Sequence, residues 1–117
     1  MKKTNIGNLI LTISKKNNGS ILEWTGESSE IDQTKDLNIF LDEILKDIEE
    51  ELLIKFNDLA FMSSSTISSI ILFIKKLDQK EINTTITYNK ESEWQKSCFR
   101  AMTAISTILK HITVIEN

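Results

Sequence analysis

Leu52, Leu53, Ile54, Lys55 and Phe56 form a short apolar run bounded by Asn57 and Asp58, and a few residues later the hydrophobic period changes. The run reads as a core strand. Beyond it, Ile67, Ile70, Ile71, Ile74 and Leu77 recur at helical spacing, with Lys75, Lys76 and Asp78 left for the outer face. Ser63, Ser64 and Ser65 stand at the handover. A buried strand followed directly by an amphipathic helix constrains the chain to an α/β layer, because that helix must pack back on the sheet it leaves.

The same pattern repeats on either side. Leu9, Leu11 and Ile13 alternate with Asn8, Ile10, Thr12 and Ser14, Asn17-Asn18-Gly19 supplies a hairpin turn, and residues 20–25 return as an antiparallel strand that Gly26 and the following polar run end. From Thr34, which reads as the N-cap, Leu37, Phe40, Leu41, Ile44 and Ile48 define one helical face. After the second helix, which runs to about Lys80, Ile82, Thr84, Ile86 and Tyr88 alternate with polar residues as a half-buried strand. Ser92 can cap a third helix with the inner face Trp94, Cys98, Ala101, Met102 and Ile105, while Gln95, Lys96 and Arg100 look outward. A last strand is expected at 112–115. The order β-β-α-β-α-β-α-β predicts a small mixed β-sheet of about five strands with three to four helices packed on it, as one domain over residues 1–117.

Composition narrows the function classes. A hydrophobic share of 40% and a charged share of 26% are those of a globular chain rather than a disordered one. The net charge of −3 supplies no basic footprint for nucleic acid. The longest apolar stretch, residues 67–74, is interrupted by Ser68 and Ser69 and is far too short to span a bilayer, and no signal-peptide core opens the sequence, so a cytoplasmic protein is expected. Cys98 is the single cysteine, which leaves no internal disulfide and no metal-ligand set; it reads as a small buried hydrophobe. The acidic group Asp47, Glu49, Glu50 and Glu51 reads as a solvated helix end.

Catalytic chemistry has few parts to work with. His111 is the only histidine, and there is no G-x-S-x-G elbow and no Gly-rich phosphate loop. The expectation is no enzyme, no cofactor and no metal. What the chain does offer is hydroxyls at a helix start, where a serine can cap free N–H groups and a phosphoserine would meet the positive end of the helix dipole. Trp24 and Trp94 are large enough to anchor a partner, and Trp94, beside the polar segment 89–93, is the better candidate.

Across residues 52–71 the sequence resembles the STAS domains of bacterial anti-sigma-factor antagonists, in which a buried strand leads into a D-S-[ST]-G-[LIV] segment that opens a helix. The flanking elements follow the family's order, so the likeness covers nearly the whole chain. The residues 92–97, Ser-Glu-Trp-Gln-Lys-Ser, are also similar to a W-Q-x-K-S stretch of uncharacterised STAS-like proteins. The resemblance implies that Ser65 stands at the phosphoacceptor position and Ser64 at the preceding hydroxyl, making both acceptor candidates. Ser63 replaces the family's aspartate and Thr66 its glycine. Ser63, Thr66, Ser68 and Trp94 are then the partner-binding candidates. The implied function is a partner switch controlled by serine phosphorylation, with a GHKL-type anti-sigma kinase and a cognate phosphatase as partners. The alternative is a constitutive scaffold that docks on a signalling enzyme such as a cyclase without phosphorylation, favoured by the replaced aspartate and glycine.

Overall fold

A computed structural model describes residues 2–28 and 33–117. Its elements are β1 (Lys2–Ile6), β2 (Leu9–Lys16), β3 (Gly19–Ser28), α1 (Thr34–Asp47), β4 (Glu51–Lys55), β5 (Leu59–Met62), α2 (Ser64–Gln79), β6 (Asn83–Tyr88), α3 (Glu93–Ser106) and β7 (Ile112–Glu116). One sheet has the strand order β1-β2-β3-β4-β6-β7, and β5 pairs with β3 off this path. The first three strands are antiparallel neighbours, whereas β3, β4, β6 and β7 are parallel, each step crossed by one helix. The expected α/β architecture is therefore the observed one, with two strands more than the hydrophobic pattern indicated.

Those two strands are hard to read from sequence for separate reasons. β1 buries only Ile6 and presents Lys2, Lys3 and Asn5 to solvent, so it carries no apolar alternation. β5 is four residues long, with Leu59 and Met62 buried and Ala60 and Phe61 exposed, which matches no period of two. It lies beside the far end of β3, whose near end pairs with β4, so the chain leaves β4, turns, and continues along the same neighbour.

The hairpin turn forms where Asn17-Asn18 was expected to place it, with Lys16 opposite Gly19 and Asn17 at φ +46°. Gly26, however, does not end β3. It sits at φ +80°, with the Asn8 carbonyl where a Cβ would stand, and marks a register shift in the β3–β5 pairing. The strand runs on to Ser28, and that extension carries a buried hydroxyl to the serine segment.

One cluster of buried residues takes the inward face of the strands, including Leu11, Leu22, Trp24, Ile54 and Ile86, together with the apolar stripes of all three helices. The alternate positions Thr12, Glu23, Lys55 and Thr85 lie on the opposite face and are half-buried. Leu37, Phe40, Leu41, Ile44 and Ile48 are buried, as the helical spacing predicted, and Glu49, Glu50 and Glu51 are solvent-exposed. Thr34 is not the cap of α1. It is the first helical residue, behind Gln33 at the N-cap, and its Oγ1 is buried without a hydrogen-bond partner among the described residues.

The expected inner face of α3 is corrected by one residue. Gln95, Phe99 and Met102 are buried, Trp94, Cys98 and Ile105 are half-buried, and Ala101 is exposed. Aromatic packing sets this phase, since Phe99 sits 5.0 Å from the rings of both Phe56 and Tyr88.

Candidate functional site

The carboxyl ends of parallel β4 and β6 and the amino ends of α2 and α3 meet at one end of the sheet. That is where open α/β sheets characteristically present their functional groups. At α2, Ser63 is the N-cap, in extended conformation, and its Oγ accepts from the Thr66 N–H at 3.3 Å. The first turn of α2 contains no acidic residue. The Ser63 N–H donates to the Ser28 carbonyl at 2.7 Å, which continues the β3–β5 ladder up to the helix start.

Hydroxyls carry the connection further. Ser28 Oγ and Thr66 Oγ1 lie 2.6 Å apart in the interior, and Thr66 Oγ1 is 3.2 Å from Ser63 Oγ. Ser28 and Thr66 are 4% and 2% exposed, so this chain of hydroxyls is an internal fastening between the end of β3 and the first turn of α2. Thr66 is therefore unsuited to contact a partner through its side chain. The helical phase points it at Ser28, where a glycine would leave Ser28 unpaired. Ser28 itself escapes sequence reasoning because it lies beyond Gly26, where the strand was expected to have ended.

Ser64 and Ser65 are outside that chain of hydroxyls. Ser64 is exposed and Ser65 half-buried, and both occupy the first turn of α2. Ser65, Ser68 and Ser69 line a groove of about 390 Å³ with Thr34, Asn38 and Leu72, between α1 and α2. Ser68 is exposed at its rim, while Ser69 is buried. The structure thus brings Ser63, Ser64, Ser65 and Ser68 to one helix end and turns Thr66 away from it.

Trp94 lies on the first turn of α3 and is half-buried. Its ring is 6.2 Å from that of Phe61, which is 47% exposed on β5, two residues before the α2 cap. Trp24, in contrast, is fully buried against Phe56, and its indole N–H has no partner among the described residues. Nothing in the sequence marks Phe61 as exposed, because it stands inside an apolar run that reads as core.

The start of α3 is built around Gln95. Ser92 caps the helix, accepting from the Gln95 N–H at 3.4 Å. The Gln95 side chain, 1% exposed, donates from Nε2 to the carbonyls of Phe56 at 2.8 Å and Leu59 at 3.0 Å, and its Oε1 accepts from the Asn89 N–H at 2.7 Å. Ser92-Glu93-Trp94-Gln95 is an S-x-x-Q spacing, the signature of a capping box, and this was the available signal. Here the amide reaches past the cap to two neighbouring segments instead.

Two ionisable groups nearby are shifted. Burial, and then the hydrogen bond to Glu116, hold the Tyr88 phenol above its ordinary value. Burial pushes the Cys98 thiol up as well, which makes it less reactive. His111 is anchored through its backbone N–H, which donates to Asp78 at 2.8 Å, and its Nδ1 lies 3.2 Å from Asn83 Oδ1. No group of three or more potential ligands that could hold a metal occurs among the described residues. Among them, too, no helix is long and apolar enough to cross a membrane.

No protein-family model matches the sequence, and no curated protein matches it. Solved structures do. The phosphorylated form of the Bacillus cell fate determinant SpoIIAA aligns with TM-score 0.63 at 11% identity, covering 90% of each chain. The anti-sigma factor antagonist SpoIIAA in its unphosphorylated form aligns with TM-score 0.62 at 12% identity, over 90% of this chain and 87% of that one. An uncharacterised DUF3478 protein with a SpoIIAA-like fold from Shewanella loihica aligns with TM-score 0.58 at 14% identity, over 97% and 90%. The chain has the SpoIIAA-like fold of the STAS anti-sigma-factor antagonists.

Proposed function

We propose that this protein is a non-enzymatic, cytoplasmic signalling module, one domain over residues 1–117, that binds a partner protein under the control of serine phosphorylation at the start of α2. The observation that carries this reading is the exposed Ser64 and half-buried Ser65 at a capped helix start with no acidic residue in its first turn, in a fold shared with a protein solved in phosphorylated and unphosphorylated forms. By resemblance, the partners are a GHKL-type kinase and a cognate phosphatase.

The physical mechanism is local. A phosphate adds about two negative charges and three acceptor oxygens where free N–H groups and the dipole favour an anion, so the fold tolerates it. The contact surface around it changes. A partner that packs on Ser64, Ser65, Ser68 and the Phe61–Trp94 pair meets a solvated charge in place of a neutral hydroxyl, and affinity falls without refolding.

Mass spectrometry of the protein from its own host, with and without phosphatase, is expected to find phosphate on Ser64 or Ser65. Capture of the partner is expected to weaken with Ser65→Asp and to persist with Ser65→Ala. Equal capture by the two variants sinks the switch at this position. A second reading, constitutive docking on a signalling enzyme, is favoured by one observation: Ser63 and Thr66, at the positions of the family's aspartate and glycine, are spent on capping and on Ser28. Absence of phosphate under several growth conditions, with partner capture retained, selects it.

A further inference from the structure

Backbone groups from two separate turns of the chain converge on a single buried amide. The Gln95 Nε2 bridges the Phe56 carbonyl, at the end of β4, and the Leu59 carbonyl, at the start of β5; its Oε1 takes the N–H of Asn89, at the end of β6. All three partners are backbone groups at strand ends: Phe56 and Asn89 lie just beyond β4 and β6, and Leu59 is the first residue of β5. Around them other contacts tie the same turns together: Leu59 N–H donates to Phe56 O at 3.0 Å, and Asn57 Oδ1 accepts from Thr87 Oγ1 at 2.7 Å. Gln95 thus joins the turn that delivers Phe61 and the serines to the helix turn that delivers Trp94.

We infer that Gln95 is the positioning residue of the partner-binding surface, holding Phe61 on β5 and Trp94 on α3 as one aromatic face. This rests on the reading of that end of the sheet as the docking site. The chemistry is specific to a carboxamide. Only a group with two N–H donors and one acceptor on the same planar end satisfies two carbonyls and an N–H at once. A glutamate keeps the acceptor but loses both donors and buries a charge; a methionine keeps the volume and loses everything polar. Trp94, the residue immediately before Gln95, and Phe61, two residues after Leu59, inherit their relative placement from this junction.

The test reads local order in the full chain. In the unmodified protein, the Gln95 side-chain NH2 protons are expected to exchange at least tenfold more slowly than those of exposed Asn18. Equal exchange overturns the proposal without any variant. In Gln95→Met, amide exchange at Asn89 and Leu59 is expected to rise at least tenfold more than at Leu11 in β2. With Trp24→Phe as background, so that Trp94 is the only tryptophan, Gln95→Met is expected to shift Trp94 emission to the red and increase its quenching by acrylamide, with far-UV circular dichroism unchanged. Exchange that rises in parallel at Asn89, Leu59 and Leu11, with Trp94 emission unmoved, shows a purely structural amide and overturns the positioning role. No partner or phosphate enters these measurements, so their failure is distinct from failure of the serine switch.

Discussion

The starts of α2 and α3 stand at the same end of the sheet and share a plan. Each is capped by a serine, Ser63 or Ser92, and each buries the residue three positions on, Thr66 or Gln95. They differ in what lies between. In α2 those two residues are Ser64 and Ser65, small and neutral, whereas in α3 they are Glu93 and Trp94. The carboxylate of Glu93 already complements the positive end of its helix, while α2 has no charge in its first turn. The buried residues differ too: Thr66 reaches one hydroxyl partner inside the sheet, and Gln95 reaches three backbone groups on two segments. Nearly the same local architecture therefore produces one helix start open to an added anion and one closed around its own contacts.

Replacing Gln95 with alanine should have the largest effect, because it removes the amide partner of the Leu59 carbonyl and of the Asn89 N–H and leaves the Phe56 carbonyl only the Leu59 N–H. A loss of about 3 kcal/mol in urea denaturation is expected. Thr66→Val removes one hydroxyl and leaves Ser28 unpaired, for a loss of about 1–2 kcal/mol. A larger loss for Thr66→Val than for Gln95→Ala breaks the contrast, since it makes the α2 start the more tightly built of the two.

Smaller effects sharpen it. Ser63→Ala and Ser92→Ala should each cost about 1 kcal/mol, the ordinary worth of a cap. Ser64→Asp should stabilise by about 0.5 kcal/mol at low salt and lose that gain in high salt, because it supplies the first-turn charge that α2 lacks. The same experiment at the α3 start, Glu93→Gln, should run in the opposite direction. Cys98 should label slowly with a thiol reagent at pH 8 compared with the unfolded chain, and the rate should climb as pH passes above the ordinary thiol value of about 8.5, because burial disfavours its thiolate.

Most of the fold was legible where period and punctuation agreed. The Asn17-Asn18 turn, the faces of α1 and β6, and the start of α2 at the serines all emerge from hydrophobic spacing that only one secondary structure fits. Legibility failed where a strand lacked a period, as at β1 and β5, or where a glycine kinked a strand instead of ending it, as at Gly26. In α3 the spacing permits two neighbouring phases, one burying Trp94 and Cys98 and the other Gln95 and Phe99. Counting apolar residues favoured the first, but ring packing on Phe56 and Tyr88 selects the second.

The candidate site divides along the same line. That Ser63, Ser64 and Ser65 begin a helix follows from local spacing, because capping and periodicity involve residues within one turn of each other. Which of the hydroxyls face outward depends on contacts between segments far apart in the chain. Thr66 turns inward because Ser28, 38 residues earlier, is there to meet it. Gln95 is buried because Phe56 and Leu59, more than thirty residues earlier, leave carbonyls in need of donors. Where α2 begins is written in short-range periodicity; which polar side chains the interior claims is settled by the assembled fold, since a buried hydrogen bond exists only when both of its partners arrive.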